Sequence, residues 1–275
     1  MLAEDGEEIK ILAGGQSLIP LLKLRLASPR RLLDIGRLPG LAAIRAEERS
    51  LCIGALTRHA DIERFAVPQG LELLCEAASL IADPQVRNLG TVGGALAEAD
   101  PAGDWGAVFL ALETAVLCRS ANGERKIALK DFFLDAYTTA LRPEEILTDI
   151  TVALPPARTG SGYVKFERKA GDFAISSAAV MVQVGEEGRI EKIGIGLSGV
   201  GLTVVKAVNA ESVLSGQEFS PDLLTKAGDA LMGEIQPLSD LRGSSEYKTE
   251  VASVIFQRAF RSAWQRACGL DKEEL

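Results

Sequence analysis

The sequence predicts an α+β fold in two parts, and three observations carry that reading. Strand-like runs and helical periodicities intermix through residue 154. The Pro155-Pro156 pair and the stretch Thr159-Gly160-Ser161-Gly162 then break the pattern as a linker would. Beyond that boundary three alternating strands are followed by three helices. At 275 residues the chain is long enough to bury a sizeable core, as one large domain or two modest ones.

Taken in order, residues 9–12 read as a strand and 18–26 as a short helix stopped by Ser28-Pro29. Residues 31–35, 42–46 and 51–53 are strands, the last two bridged by 47–50. Helical periodicity follows at 59–65 and 70–81, and residues 87–97 are glycine-rich and coil-like. Residues 104–112 return to helix, with strands at 115–119 and around Ile127 on either side of an Asn122-Gly123 turn. After the linker, 163–168, 176–184 and 189–198 alternate as strands, the last two joined across residues 185–188. Helices follow at 206–214, at 221–232 with Ser220 as N-cap and Pro221 in the first turn, and at 245–268, closed by Gly269. The last helix repeats apolar residues at Val251, Val254, Ile255 and Ala259, a stripe expected to pack on its own three-strand sheet.

Composition narrows the function. The formal charge is -8 and no basic stripe runs through the chain, which makes nucleic acid and anionic membrane poor partners. The longest apolar runs, such as residues 178–184, are too short to span a bilayer. Met1-Leu2-Ala3 leads straight into the acidic run Glu4-Asp5-Gly6-Glu7-Glu8, which reads as a solvated face rather than a signal peptide and points to a cytoplasmic protein. Cys52, Cys75, Cys118 and Cys268 are scattered without ligand spacing, and Cys52 and Cys75 sit among apolar neighbours as core residues. A single histidine, His59, reads as a helix-start residue and leaves no His-based metal cluster. Redox work by such a chain needs an organic cofactor or a partner.

Two glycine-rich stretches carry the chemistry. In the first, Ile11, Leu12 and Ala13 run into Gly14 and Gly15, then Gln16, Ser17 and Leu18 at a helix start. Glycines let successive N–H groups point into one concavity suited to phosphate oxygens, and Ser17 adds a hydroxyl. The stretch is neither a Walker loop nor G-x-G-x-x-G, and a plain tight turn explains it equally well. The second stretch holds Gly90, Thr91, Val92, Gly93, Gly94 and Ala95, with Asp104 opening the next helix as a carboxylate for a ribose or ribitol hydroxyl. Two such loops, neither a mononucleotide fingerprint, suggest a dinucleotide clamped from two sides.

The motifs AGGQSL, GTVGG with Asp-Pro-Ala-x-Asp after it, EEILTDI, KFERKAGDFA and SDLRGSSEY occur in order over essentially the whole chain. Together they resemble the FAD-binding medium subunit of the molybdenum hydroxylases, the family of carbon monoxide dehydrogenase, bacterial xanthine dehydrogenases and 4-hydroxybenzoyl-CoA reductase. The resemblance implies an FAD-binding domain of the PCMH/vanillyl-alcohol-oxidase type over residues 1–156, built of two α/β subdomains. A small C-terminal flavoprotein domain is expected over residues 160–269. It implies that residues 11–18 wrap the FAD pyrophosphate from one side and residues 91–95 from the other. By the same match Asp104 holds an FAD hydroxyl, Leu147 packs on the flavin, Lys165 lies near the isoalloxazine, and Ile81 stands where some relatives place an aromatic over the cofactor.

The chain departs from the family pattern in three ways. It lacks a further strand and helix before the equivalent of residues 2–5. Ala95 replaces a frequent Asn, and Glu98 a frequent His. The implied FAD is non-covalent, since no tethering residue stands beside the loops. No catalytic or metal-binding residue is expected on this chain. A large molybdenum subunit and a small iron–sulfur subunit with 2Fe-2S clusters supply the rest of the chemistry, in a doubled, heterohexameric complex. In that division of labour this chain takes electrons from a cluster and passes them to an external acceptor. The rival reading is a stand-alone flavin-dependent oxidoreductase of the same flavin-fold superfamily. It would need proton-donating residues after Lys165, where no such set is evident.

Overall fold

The structure is a computed structural model that describes Leu2 and residues 8–270. The acidic run at residues 4–7 lies outside the described residues; Glu8, at the end of the run, pairs with Arg30 at 3.0 Å.

The first part opens with a parallel pair, β1 (Ile9–Leu12) and β2 (Arg31–Asp34), joined through α1 (Leu18–Lys23). α1 ends short of the expected residue 26 because Arg25 turns into the left-handed region at φ 59°. Strands β3 (Ile44–Ala46) and β4 (Ser50–Gly54) follow, then helices α2 (His59–Glu63), α3 (Glu72–Leu80), α4 (Pro84–Arg87), α5 (Val92–Glu98) and α6 (Asp104–Ala111). Strands β5 (Ala115–Ser120) and β6 (Gly123–Ala128), the small hairpin β7 (Phe133–Asp135) with β8 (Thr138–Thr139), and β9 (Ile146–Ala153) complete it. The main sheet has the order β3-β4-β9-β5-β6 with every pair antiparallel.

Residues 87–97, expected to be coil, are largely helical. Asp83 caps α4 through the Gln85 and Val86 amides, Thr91 caps α5 by accepting from Gly94 N–H at 3.2 Å, and only a short turn separates the two helices. The glycines that argue for coil instead permit close packing: a Cβ on Gly93 would sit 2.4 Å from that of Ala55.

The second part is a sheet of order β10-β11-β12-β13, formed by β10 (Thr159–Phe166), β11 (Ser176–Val184), β12 (Ile190–Ser198) and β13 (Val205–Lys206). Helices α7 (Val208–Leu214), α8 (Pro221–Met232) and α9 (Ser245–Cys268) cover it. Two expectations change here. The stretch at 159–162 is the start of β10 rather than a linker, because Gly160 and Gly162 let α9 lie directly on the strand; a Cβ on Gly160 would come within 2.2 Å of the Ala263 carbonyl. A fourth, two-residue strand at the expected start of the first C-terminal helix pairs with β12. Of the expected α9 stripe, Ile255 and Ala259 are buried but Val254 is 48% exposed; the packed face is completed by Phe256, Phe260, Ala263 and Trp264.

The two parts share an interior. On β11, Ala179 and Met181 face the core of the first part while Ala178, Val180 and Val182 face the α7–α9 side, as strand alternation requires. α6 lies between, with all of its residues buried, which explains why beyond Asp104 it is apolar around its whole circumference. It can approach β12 only because Gly194 and Gly196 have no side chain; a Cβ on either would lie 2.0 Å from the Ala111 or Ala107 carbonyl. Cys75 is half-buried and donates to the Ile62 and Phe65 carbonyls, both at 3.2 Å. Among the described residues no helix is long and apolar enough to cross a membrane.

Candidate functional site

A groove of about 690 Å³ runs between the β1–α1 loop, the α4–α5 turn with the start of α5, and the segment leading into β9. That volume lies in the range of about 300–1,000 Å³ typical of cofactor sites. The two glycine-rich stretches meet at its floor. A Cβ on Gly14 would lie 2.3 Å from the Leu89 carbonyl oxygen and 2.8 Å from Gly90 Cα, so the loops touch backbone to backbone. Gly15 follows in the left-handed region at φ 72°, open to glycine at little strain.

The loops offer different things. In the second, the amides of Gly93, Gly94 and Ala95 are bonded within the protein, to the Ala55 carbonyl, Thr91 Oγ1 and the Thr91 carbonyl. This loop therefore contributes a close, side-chain-free wall rather than the converging amides its glycines suggest. In the first, the Gly15 and Ser17 carbonyls accept from Ile19 and Leu21, while the backbone N–H groups of residues 15–18 have no partner among the described residues. Residues 15–18 line the groove, as do the cationic residues Lys10 and Arg142. Unpaired donors, a glycine wall and two cations fit an anionic, diphosphate-linked ligand such as FAD.

Acidic groups border the same groove. Burial, with Asp100 nearby, raises the Glu98 carboxyl above its ordinary range, opposed by Lys10. Glu145 is held low by Arg125, which bonds both of its oxygens at 2.9 and 2.6 Å, and it also accepts from the Arg142 amide at 2.9 Å. Glu145 thereby pins the segment that carries Leu147 into the groove.

Of the residues singled out in the sequence, Ile11, Ala13, Gly14, Gly15, Gln16, Ser17 and Leu18 line this groove, as do Thr91, Gly93, Gly94, Ala95 and Leu147. Leu12 and Val92 are not part of its lining: Leu12 packs toward Gly15, and Val92 is fully buried. Asp104 and Lys165 lie in an interior cluster instead. Asp104 accepts from the Tyr163 hydroxyl at 2.5 Å, and Lys165 Nζ stands 3.2 Å from Asp104 Oδ1 and 3.2 Å from Glu167 Oε2. Burial pushes the Asp104 carboxyl up, against the pull of Lys165 and of the Tyr163 hydroxyl. Lys165 also donates to the Leu80 carbonyl at 3.1 Å, which places Ile81 beside this cluster and outside the groove lining.

The groove also holds residues that sequence reasoning gave no site role: Lys10, His59, Tyr137, Thr138, Thr139 and Arg142. Alternation within β1 could have flagged Lys10, whose neighbours Ile9 and Ile11 differ from it in polarity. The hairpin carrying Thr138 and Thr139 leaves no such signal, being too short for a periodicity.

Family models match both parts of the chain. The family model described as the FAD binding domain in molybdopterin dehydrogenase matches residues 1–155, and that described as the CO dehydrogenase flavoprotein C-terminal domain matches residues 161–263. The chain is 39% identical to the carbon monoxide dehydrogenase medium chain of Hydrogenophaga pseudoflava, over 97% of this chain and 93% of that one. It is 38% identical to the 6-hydroxypseudooxynicotine dehydrogenase complex subunit alpha of Paenarthrobacter nicotinovorans, over 97% and 90%. A solved structure of carbon monoxide dehydrogenase from Hydrogenophaga pseudoflava, lacking the Mo-pyranopterin moiety, superposes with a TM-score of 0.93 at 41% identity, covering 96% of this chain and 92% of that one.

Proposed function

Because the chain belongs to the family of FAD-binding medium subunits of the molybdenum hydroxylases, we propose that it is the electron-exit subunit of such an enzyme. Its partners in this reading are a large subunit with the molybdenum cofactor and a small subunit with 2Fe-2S clusters. Bound FAD supplies the electron exchange between those clusters and an external acceptor. The chain's own residues bind and orient it. The free amides of residues 15–18 and the cations Lys10 and Arg142 receive the pyrophosphate, the wall at Gly93 and Gly94 lets it approach the backbone, and Leu147 offers an apolar surface to a ring.

The observation that carries this reading is the contact of the two glycine loops at Gly14 and Gly90, with unpaired amides on one side of it. Residues 1–156 form the FAD-binding unit in this reading, and residues 160–269 its C-terminal companion. The groove lining includes no cysteine, which accords with a non-covalent cofactor. The dispersed cysteines and the lack of any apolar spanning helix among the described residues accord with a cytoplasmic subunit.

Purification of the full chain tests this directly. The protein should come off yellow, and acid precipitation should release all of its flavin into the supernatant. A colourless protein that takes up no added FAD contradicts the FAD reading, and flavin retained in the pellet contradicts non-covalent binding.

A further inference from the structure

His59 is the single histidine of the chain, and the fold gives it a place that its sequence context does not. It opens α2 yet is only 5% exposed, and it lines the groove beneath the junction of the two glycine loops. The indole N–H of Trp105, on buried α6, donates to His59 Nδ1 at 3.0 Å. A nitrogen that accepts is unprotonated, so the neutral ring carries its proton on Nε2. Burial favours that neutral form, pushing the pKa down to about 4, with Arg87 adding to the effect; Arg87 is in turn paired with Glu63 at 3.0 Å.

Nε2 faces Gly90. A Cβ there would lie 2.7 Å from Nε2, so the glycine makes room for the imidazole edge. The His59 backbone N–H donates to the Gly90 carbonyl at 3.1 Å, tying ring and turn together. Among the described residues nothing accepts from Nε2–H. Nε2 is not sealed off from solvent, so an acceptor entering the groove that His59 lines can reach its proton. Trp105 fixes which nitrogen donates, and the groove is where an acceptor would arrive.

We propose that His59 is an FAD-binding residue: held by Trp105 as the Nε2–H tautomer, it donates to an oxygen of the cofactor at the groove floor, beside Gly90 and Thr91. This rests on the FAD reading above. It assigns Trp105, which does not line the groove, the part of a positioning residue acting through the imidazole.

With one histidine, isotope-labelled imidazole nitrogens are assigned in the full chain without ambiguity. Nε2 should be protonated and Nδ1 not, and FAD should shift the Nε2–H resonance. FAD affinity, read by flavin fluorescence titration, should weaken about tenfold in His59→Phe, which keeps the ring volume but loses the donor. His59→Gln should recover most of it, because its amide oxygen can accept from Trp105 while its NH2 donates. Trp105→Phe should weaken binding too, by freeing the tautomer. Unchanged affinity in a folded His59→Phe chain, or an Nε2–H resonance unmoved by saturating FAD, overturns the assignment. Should His59→Phe fail to fold, the Nε2–H shift and the His59→Gln affinity decide it, a glutamine variant without recovery counting against. If the wild-type chain binds no FAD, the FAD reading itself falls and this inference with it.

Discussion

Lys165 on β10 reaches across the interior to Asp104 at the start of α6, with Nζ 3.2 Å from Oδ1, and only 1% and 7% of the two side chains are exposed. The pair joins the first residue of a helix belonging to one part of the chain to the first strand of the other. Tyr163, two residues earlier on β10 and so on the same face, adds its hydroxyl to the same carboxylate.

Removing the cation should therefore act on stability first. Lys165→Met leaves the buried Asp104 and the partly buried Glu167 without their shared partner, a change that costs about 3–5 kcal/mol where a buried pair is broken. Urea denaturation should show that loss, and Asp104→Asn combined with Lys165→Met should be milder than Lys165→Met alone. A Lys165→Met chain as stable as wild type would mean that the ion pair does not form.

The loop contact predicts a local effect at Gly14. In Gly14→Ala the new methyl group meets a backbone carbonyl at 2.3 Å, so the loops must part. Bound flavin should fall well below wild type while circular dichroism stays close to it. Gly15→Val should do the same through backbone strain at φ 72°. Full flavin occupancy in both variants would refute the two-loop site.

The buried imidazole predicts a pH dependence of stability. In the folded chain the His59 pKa is lowered from 6.5 to about 4. Between those values the unfolded chain holds the extra proton, so acid favours unfolding. The contribution is complete above about pH 6.5 and lost progressively down to about pH 4, up to ~3 kcal/mol. Unfolding free energy followed from neutral to mildly acid pH should fall more steeply in wild type than in His59→Gln. Parallel curves would contradict the assigned burial.

The seat of α6 on β12 predicts a sharp penalty for one methyl group. Gly196→Ala places a Cβ 2.0 Å from the Ala107 carbonyl, and neither backbone can yield without moving the sheet. Overpacking of this kind costs about 1–3 kcal/mol or more. By contrast, Gly216→Ala, whose Cβ meets nothing within 4 Å, should show only the milder strain of its φ of 76°. Thermal melts of the two variants make the comparison.

Much of this was legible in the residues. The Ser220-Pro221 start of α8 and the Gly269 end of α9 fall where local chemistry puts them, because cap and φ preferences are decided within a few residues. Both glycine loops could be found because close backbone approach demands glycine whatever surrounds it. Glycine alone does not say why the approach is needed, and so the same signal misled at residues 87–97 and 159–162. There the missing Cβ serves helix and strand packing instead. The role of Trp105 for His59 was out of reach, since their bond spans residues far apart in sequence and depends on how α6 is seated. Arg142 and the β7–β8 hairpin reach the groove by tertiary placement alone.

As the electron-exit subunit proposed above, this chain takes electrons that a larger enzyme draws from its substrate. The most direct measurement follows the visible absorbance of its flavin under anaerobic conditions while a substrate of the co-expressed complex is added. In the complex with its large and small partner chains the flavin should bleach, with molybdenum and iron co-purifying. In the isolated chain the same substrate should leave it oxidised, although a chemical reductant bleaches it. Substrate-driven bleaching in the isolated chain would contradict the electron-exit role and identify a stand-alone flavin enzyme.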